Sequence, residues 1–270
     1  MCSSHTNSLW KSKNTDSSPR FNSIERQSQM IKVENLTKRY GDKTALDNIS
    51  FTVDAGEVVG LLGLNGAGKT TTMNILTGYI SATSGSVTVG GFDIISESSK
   101  AKQLIGYLPE QPAFYPEIRV SEHLDFICGI KGVYKDKNER AEHIDDICAR
   151  VGIADVKRRM VRNLSKGYKQ RVGFAQALIG NPKVIILDEP TAGLDPSQIV
   201  DIRSLIKECG NNSTVIVSSH ILSEIQAVCN RVIIINEGTL VADDSPENLT
   251  GGGSLEEVFL RLIGLGGAAT

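Results

Sequence analysis

The stretch Gly63-Leu64-Asn65-Gly66-Ala67-Gly68-Lys69-Thr70 limits what this chain can become more than any other. It satisfies G-x-x-x-x-G-K-[ST] at every fixed position. Its flanks also match: the apolar run Val58–Leu62 precedes it, and a helix-forming stretch, Thr70–Thr77, follows. Glycines let the backbone curl so that successive N–H groups point inward at phosphate oxygens. The helix beginning near Lys69 adds the positive end of its dipole. Lys69 is then a point charge for the β- and γ-phosphates, and the Thr70 hydroxyl can ligate Mg²⁺.

A strand, a glycine turn and a helix in that order open an α/β fold, and the rest of the chain continues the alternation. Strand candidates are Ile31–Val33, Ile49–Val53, Gly85–Val89, Ile105–Leu108, Val184–Leu187, Thr214–Ser218 and Val232–Ile235, with helices at Ile199–Lys207 and Leu222–Val228. Short β-branched runs without polar alternation are the pattern of parallel strands buried on both faces. Between Ile105 and Val184 the chain is too long for one crossover. Val120–Arg162 carries apolar residues at helical spacing (Leu124, Ile127, Ile144, Ile147, Val151), so a helical subdomain is expected over about residues 112–172.

The ends read differently. Met1–Gln29 is rich in Ser, Asn, Lys and Arg and has no apolar core of a signal peptide; it reads as a disordered tail, with Met30 an alternative start directly before the first strand. The nucleotide-binding domain then runs over residues 30–250. Residues 251–270 read as a flexible joint at Gly251-Gly252-Gly253 followed by an amphipathic helix, Leu255–Ile263, which favours docking on its own domain over binding a partner.

Bulk properties exclude several functions. The net charge of −2 supplies no general field for nucleic acid. No apolar run approaches the roughly 20 residues of a membrane helix, so any membrane role comes through a partner. The 5 cysteines form no C-x-x-C pair and do not cluster with histidines, which points to reduced, buried thiols rather than a metal centre.

A second element supports the first. Val184-Ile185-Ile186-Leu187-Asp188-Glu189 is an apolar strand ending in two carboxylates. Asp188 is placed to hold Mg²⁺ through water, and Glu189 to polarise an attacking water.

Four more stretches resemble the ATP-binding cassette (ABC) ATPases. Leu164-Ser165-Lys166-Gly167-Tyr168-Lys169-Gln170-Arg171 resembles the family signature, usually written LSGGQ. Ala192-Gly193-Leu194-Asp195 resembles the D-loop. His220 matches the switch histidine, and Tyr40 the aromatic that stacks on adenine. The resemblance runs from about Ile31 to Arg261. It implies an ABC-ATPase fold of the P-loop NTPase class, with a parallel core sheet, an N-terminal antiparallel β subdomain and an inserted helical subdomain. It implies ATP and Mg²⁺ as ligands, with Gly63, Leu64, Asn65, Gly66, Ala67, Gly68, Lys69, Thr70 and Thr71 around the phosphates. Lys69, Glu189 and His220 would be the catalytic set, and Thr70 and Asp188 the metal side.

The resemblance further implies a head-to-tail dimer, most simply of identical subunits. Each ATP would be capped by Ser165, Gly167 and Asp195 from the opposite copy. Two departures stand. Lys166 replaces the usual glycine, and either adds charge near the phosphates or faces solvent. After Gly106-Tyr107-Leu108-Pro109, either Glu110 or Gln111 can serve as the loop residue sensing metal and water.

Within the family, Leu108–Gln111, the signature and Leu255–Phe259 resemble subunits that serve separate ABC type-2 export permeases. That implies a place on the cytoplasmic face of the inner membrane, held through an integral-membrane permease, with no nucleic acid partner. The alternative is an ABC-type ATPase acting on DNA or ribosomes. Against it, the stretch between the two nucleotide motifs carries no sustained heptads, and the chain holds a single cassette.

Overall fold

The computed structural model describes residues 29–264. The expectations for the tail and for residues 265–270 lie outside that range. The exception is Gln29, which already pairs as the first residue of a strand rather than ending a tail.

The chain opens with β1 (Gln29–Tyr40) and β2 (Lys43–Asp54), an antiparallel hairpin whose register closes at Tyr40 and Lys43. These strands are much longer than Ile31–Val33 and Ile49–Val53. Asn35 sits at φ 48 and shifts the pairing register between Val33 and Leu36. That irregularity breaks the alternation on which the sequence reading relies, and Leu36 returns to the core beyond it. Later come β4 (Ser84–Val89) and β5 (Phe92–Asp93), giving an antiparallel sheet ordered β2-β1-β4-β5.

The second sheet contains β3 (Val58–Leu62), β6 (Ile105–Leu108), β7 (Val184–Asp188), β8 (Thr214–Ser219), β9 (Arg231–Asn236) and β10 (Thr239–Asp244), ordered β10-β9-β3-β8-β7-β6. All neighbours pair in parallel except β10, which returns antiparallel on β9. The core sheet is therefore mixed at one edge. The hairpin turn that makes it so, Glu237-Gly238, has both residues at positive φ, the geometry that matches the twist of two flanking strands.

Alternate residues of the central strands enter opposite cores. Val58, Leu62, Ile185, Leu187, Val232 and Ile234 pack on the helical side. Val59, Leu61, Val184, Ile186, Ile233 and Ile235 pack toward the antiparallel sheet. Two covered faces explain why these strands read as unbroken apolar runs.

Helices α1 (Lys69–Leu76) and α2 (Ser98–Gln103) precede the inserted region. The stretch Val120–Arg162 is helical only in part. α3 (Val120–Lys131) stops at Gly132, at φ 65, and α4 (Lys137–Arg150) restarts where the Asp136 carboxylate accepts the N–H groups of Asn138 and Glu139. Two short 3₁₀ turns, Ala154–Val156 and Val161–Asn163, then lead to α5 (Lys166–Leu178). Leu124, Cys128, Ile144, Ile147 and Cys148 share the core under these helices.

The remaining helices are α6 (Pro196–Gly210), α7 (Leu222–Val228), α8 (Pro246–Thr250) and α9 (Leu255–Leu262). α6 begins earlier than Ile199 because Asp195 caps it and Pro196 fits its first turn. α9 buries Leu255, Val258 and Phe259 on its own chain. Among the described residues, Cys128, Cys148, Cys209 and Cys229 are free and buried, and burial pushes the Cys229 thiol up to about 12.

Candidate nucleotide site

The glycine loop connects β3 to α1. Its close packing is set by Gly63: a Cβ there would collide with the Ile235 carbonyl of β9 and crowd Ala67. Gly68 caps α1 at φ 114, a conformation that favours glycine. Lys69 is 6% exposed. A buried ammonium must find acceptors. Its Nζ donates to the Gly63 carbonyl at 2.8 Å and the Leu64 carbonyl at 3.3 Å, and lies 3.5 Å from Glu189 Oε1. The loop thus curls around its own lysine.

A cavity of about 450 Å³ opens over this loop. Tyr40, Asn65, Gly66, Gly68, Lys69, Thr70, Thr71, Glu110, Glu189 and His220 all line it, although they come from five separate parts of the sequence. Tyr40, at the end of β1, is half exposed at the cavity mouth, with the Lys38 ammonium 5.0 Å from its ring centre, and an aromatic ring placed there can cover a planar base. Lys43, Ala45 and Ala192 also line the cavity, and the sequence reading did not single them out. The signal for Lys43 was the turn at Gly41-Asp42, which returns the chain beside Tyr40.

The carboxylates occupy the end of β7. Asp188 is buried, and its Oδ1 accepts the Ser218 hydroxyl at 2.6 Å. Burial raises its pKa, while the Ser218 hydroxyl and the nearby Thr70 hydroxyl act in the opposite direction. Among the described residues, Asp188 Oδ2 has no hydrogen-bond partner. A buried, unpartnered carboxylate oxygen near the Thr70 hydroxyl fits a hard cation with oxygen ligands, such as Mg²⁺.

Glu189 sits at φ 49, an unusual conformation for a residue with a long side chain. Its N–H donates to Ser218 Oγ at 2.9 Å. Its side chain reaches back into the cavity, with Oε2 2.8 Å from His220 Nδ1 and Oε1 toward Lys69. Ser218 therefore organises both acidic residues from the neighbouring strand. It was missed in the sequence because a serine at a strand end carries no distinctive pattern.

Other expected residues fall elsewhere. Gln111 lines a separate groove with Tyr79, Tyr107, Pro109, Ile127 and Ile130, whereas Glu110 faces the nucleotide cavity. Consecutive residues thus diverge after β6: Glu110 lines the cavity that Lys69 also lines, and Gln111 lines the separate groove. Gly63, Leu64 and Ala67 belong to the loop but do not line the cavity, with Leu64 exposed and Ala67 buried.

Ser165, Gly167 and Asp195 do not line this cavity either. Ser165 caps α5 by accepting the Tyr168 N–H at 3.3 Å. Asp195 caps α6, and the Gln198 N–H and Ser197 hydroxyl hold its pKa below the ordinary value. A Cβ on Gly167 would meet the Gln198 side chain, and one on Gly193 would meet the Lys166 ammonium. The signature and the Ala192–Asp195 loop are thus packed on each other within one chain.

A family model described as "ABC transporter" matches residues 46–192. The bacitracin transport ATP-binding protein BcrA of Bacillus licheniformis is 40% identical over 218 residues, covering 80% of this chain and 70% of that protein. The lantibiotic transport ATP-binding protein SrtF of Streptococcus pyogenes is 36% identical over 235 residues, covering 87% of this chain and 97% of that protein. Among solved structures, a dimeric ATP-binding cassette in a post-hydrolysis state with ADP and phosphate superposes with a TM-score of 0.73. It is 26% identical and covers 80% of this chain and 98% of its own.

Proposed function

The chain belongs to the ABC transporter family of ATP-binding, ATP-hydrolysing subunits, and on that premise we propose that two identical copies close around two ATP molecules to drive export through a separate membrane permease. The observation that carries this reading is the convergence of Lys69, Glu189 and His220 on one cavity. The signature and Asp195 lie outside it on the same chain. Half of a site is formed within the chain, and a second copy would supply the other half. A solved relative of this fold is a dimer with ADP and phosphate.

The mechanism uses the chain's own groups. ATP enters with its base against Tyr40 and its phosphates over the glycine loop. Lys69 exchanges its loop carbonyls and Glu189 for the β- and γ-phosphate oxygens. Thr70 and Asp188, with Glu110 alongside, would hold Mg²⁺, which when bound offsets the charge of those oxygens. Glu189 takes a proton from a water as that water attacks the γ-phosphorus, and the bond to the ADP oxygen breaks. ADP and inorganic phosphate result. His220 keeps the Glu189 carboxylate aimed and faces the transferred group.

The relatives named for bacitracin and lantibiotic transport support a transport role, and the export-type resemblance of Leu108–Gln111, the signature and Leu255–Phe259 supports the export direction. The permease would dock in the groove beside α3, about 810 Å³ in volume, whose rim residues Tyr79 and Ile130 are 79% and 66% exposed. Among the described residues, no helix is long and apolar enough to cross a membrane, so membrane attachment would come through that partner, on the cytoplasmic face.

The test is mass measurement by light scattering. Glu189→Gln with ATP and Mg²⁺ should double in mass and return to monomer when nucleotide is removed. A protein that stays monomeric with saturating ATP would overturn the paired site.

A further inference from the structure

Glu224 is a buried acid that the reaction as derived does not use. It lies in the first turn of α7 and is 6% exposed. One of its oxygens, Oε2, accepts two hydroxyls: Thr191 Oγ1 at 2.6 Å and Ser219 Oγ at 3.0 Å. Thr191 is two residues beyond Glu189, and Ser219 directly precedes His220. The same Ser219 oxygen accepts the Ile221 N–H at 2.9 Å. The loop after Glu189 and the residue before His220 are therefore tied to one carboxylate.

These ties matter because the His220 side chain is itself loosely held. His220 is 45% exposed, and the contact recorded for its ring is Glu189. Glu189 itself occupies a backbone conformation that surrounding structure must impose. Thr191 continues its turn: Ala192 N–H donates to the Glu189 carbonyl and Leu194 N–H to the Thr191 carbonyl. Arg203 of α6 lines the small cavity beside Glu224, and among the described residues its buried Nε has no hydrogen-bond partner.

We propose that Glu224 is a positioning residue for hydrolysis: it ties the loop after Glu189 to the loop carrying His220, and so sets the distance between the two. It touches neither ATP nor water. The proposal rests on Glu189 and His220 acting in hydrolysis.

Steady-state ATPase assays on the full chain, with affinity for a fluorescent ATP analogue and melting temperature measured in parallel, test it. Glu224→Ala should lower kcat about tenfold to hundredfold, the penalty of a displaced catalytic group, with KM and analogue affinity held within about twofold. Glu224→Gln keeps an acceptor oxygen and should recover most of the rate. Thr191→Val, close in shape, removes one tie and should give an intermediate loss. Unchanged kcat in Glu224→Ala overturns the proposal, as does a fall in kcat matched by an equal fall in nucleotide affinity. If Glu224→Ala does not fold, Thr191→Val decides: a normal kcat there overturns it. Glu189→Gln run alongside separates the two readings. Inactive Glu189→Gln with normal Glu224→Ala removes only the positioning role. Active Glu189→Gln removes the base itself.

Discussion

Replacing Glu189 by glutamine should separate binding from turnover in a way the lysine geometry dictates. Lys69 Nζ lies 3.5 Å from Glu189 Oε1, and both side chains are nearly buried. At an effective dielectric of about 20, unit charges at that distance attract by about 5 kcal/mol gross. Desolvation offsets most of it, leaving about 1 kcal/mol that ATP must overcome to recruit Lys69. Glutamine removes that competitor and also a negative charge facing the γ-phosphate. ATP should then bind about fivefold more tightly. Turnover should fall by about 10²- to 10⁴-fold, the range for a lost general base. Equilibrium titration with a fluorescent ATP analogue gives the first quantity, and phosphate release the second. Hydrolysis at the unsubstituted rate would refute the role of Glu189 in activating water. Binding that is unchanged or weaker would refute the competition for Lys69.

Asp188→Asn should make the nucleotide-free protein more stable while abolishing Mg²⁺-dependent hydrolysis, read by thermal melting and phosphate release. Burial raises the Asp188 pKa above 3.8, so the folded chain holds that proton more tightly than the unfolded chain. This contribution to stability is present at low pH and is lost as pH rises through the raised pKa; the asparagine variant should lack that segment of the pH–stability curve. His220→Ala should cost most of the hydrolysis and leave ATP affinity near normal; full activity would remove it from the site. Lys166→Gly frees Gly193 of the ammonium packed on it, and should alter ATP-dependent dimer formation, measured by light scattering, without changing monomer affinity for the ATP analogue.

The glycine loop and the Val184–Glu189 strand were legible in the sequence because each combines a fixed chemical spacing with an apolar run. The central strands were legible for a related reason: both faces are covered, so every residue is apolar. Elements that failed to register depend on backbone irregularity or on partial exposure. β1 loses its alternation at Asn35, and β10 has no fully buried residue, so neither carries a clean pattern. Within the cavity, Lys43 and Ser218 act through neighbours brought in by pairing, and a sequence does not display pairing. That Glu110 and Gln111 line different cavities depends on the path of the chain after β6, which no spacing rule gives.

The order β10-β9-β3-β8-β7-β6 has a consequence for how the protein is made. Lys69 follows β3 and Asp188 ends β7, yet these strands are not neighbours; β8, more distant along the chain than either, lies between them. A chain emerging from the ribosome can complete its glycine loop and its acidic strand and still have no hydrolytic site. Ser218 and His220 arrive with the insertion of β8, which closes the gap and joins the two halves of the cavity at once. Non-local pairing of this kind is slow to form. On the proposed roles of Glu189 and His220, hydrolysis would wait on the insertion of β8, so a nascent chain would not consume ATP before most of its length has folded.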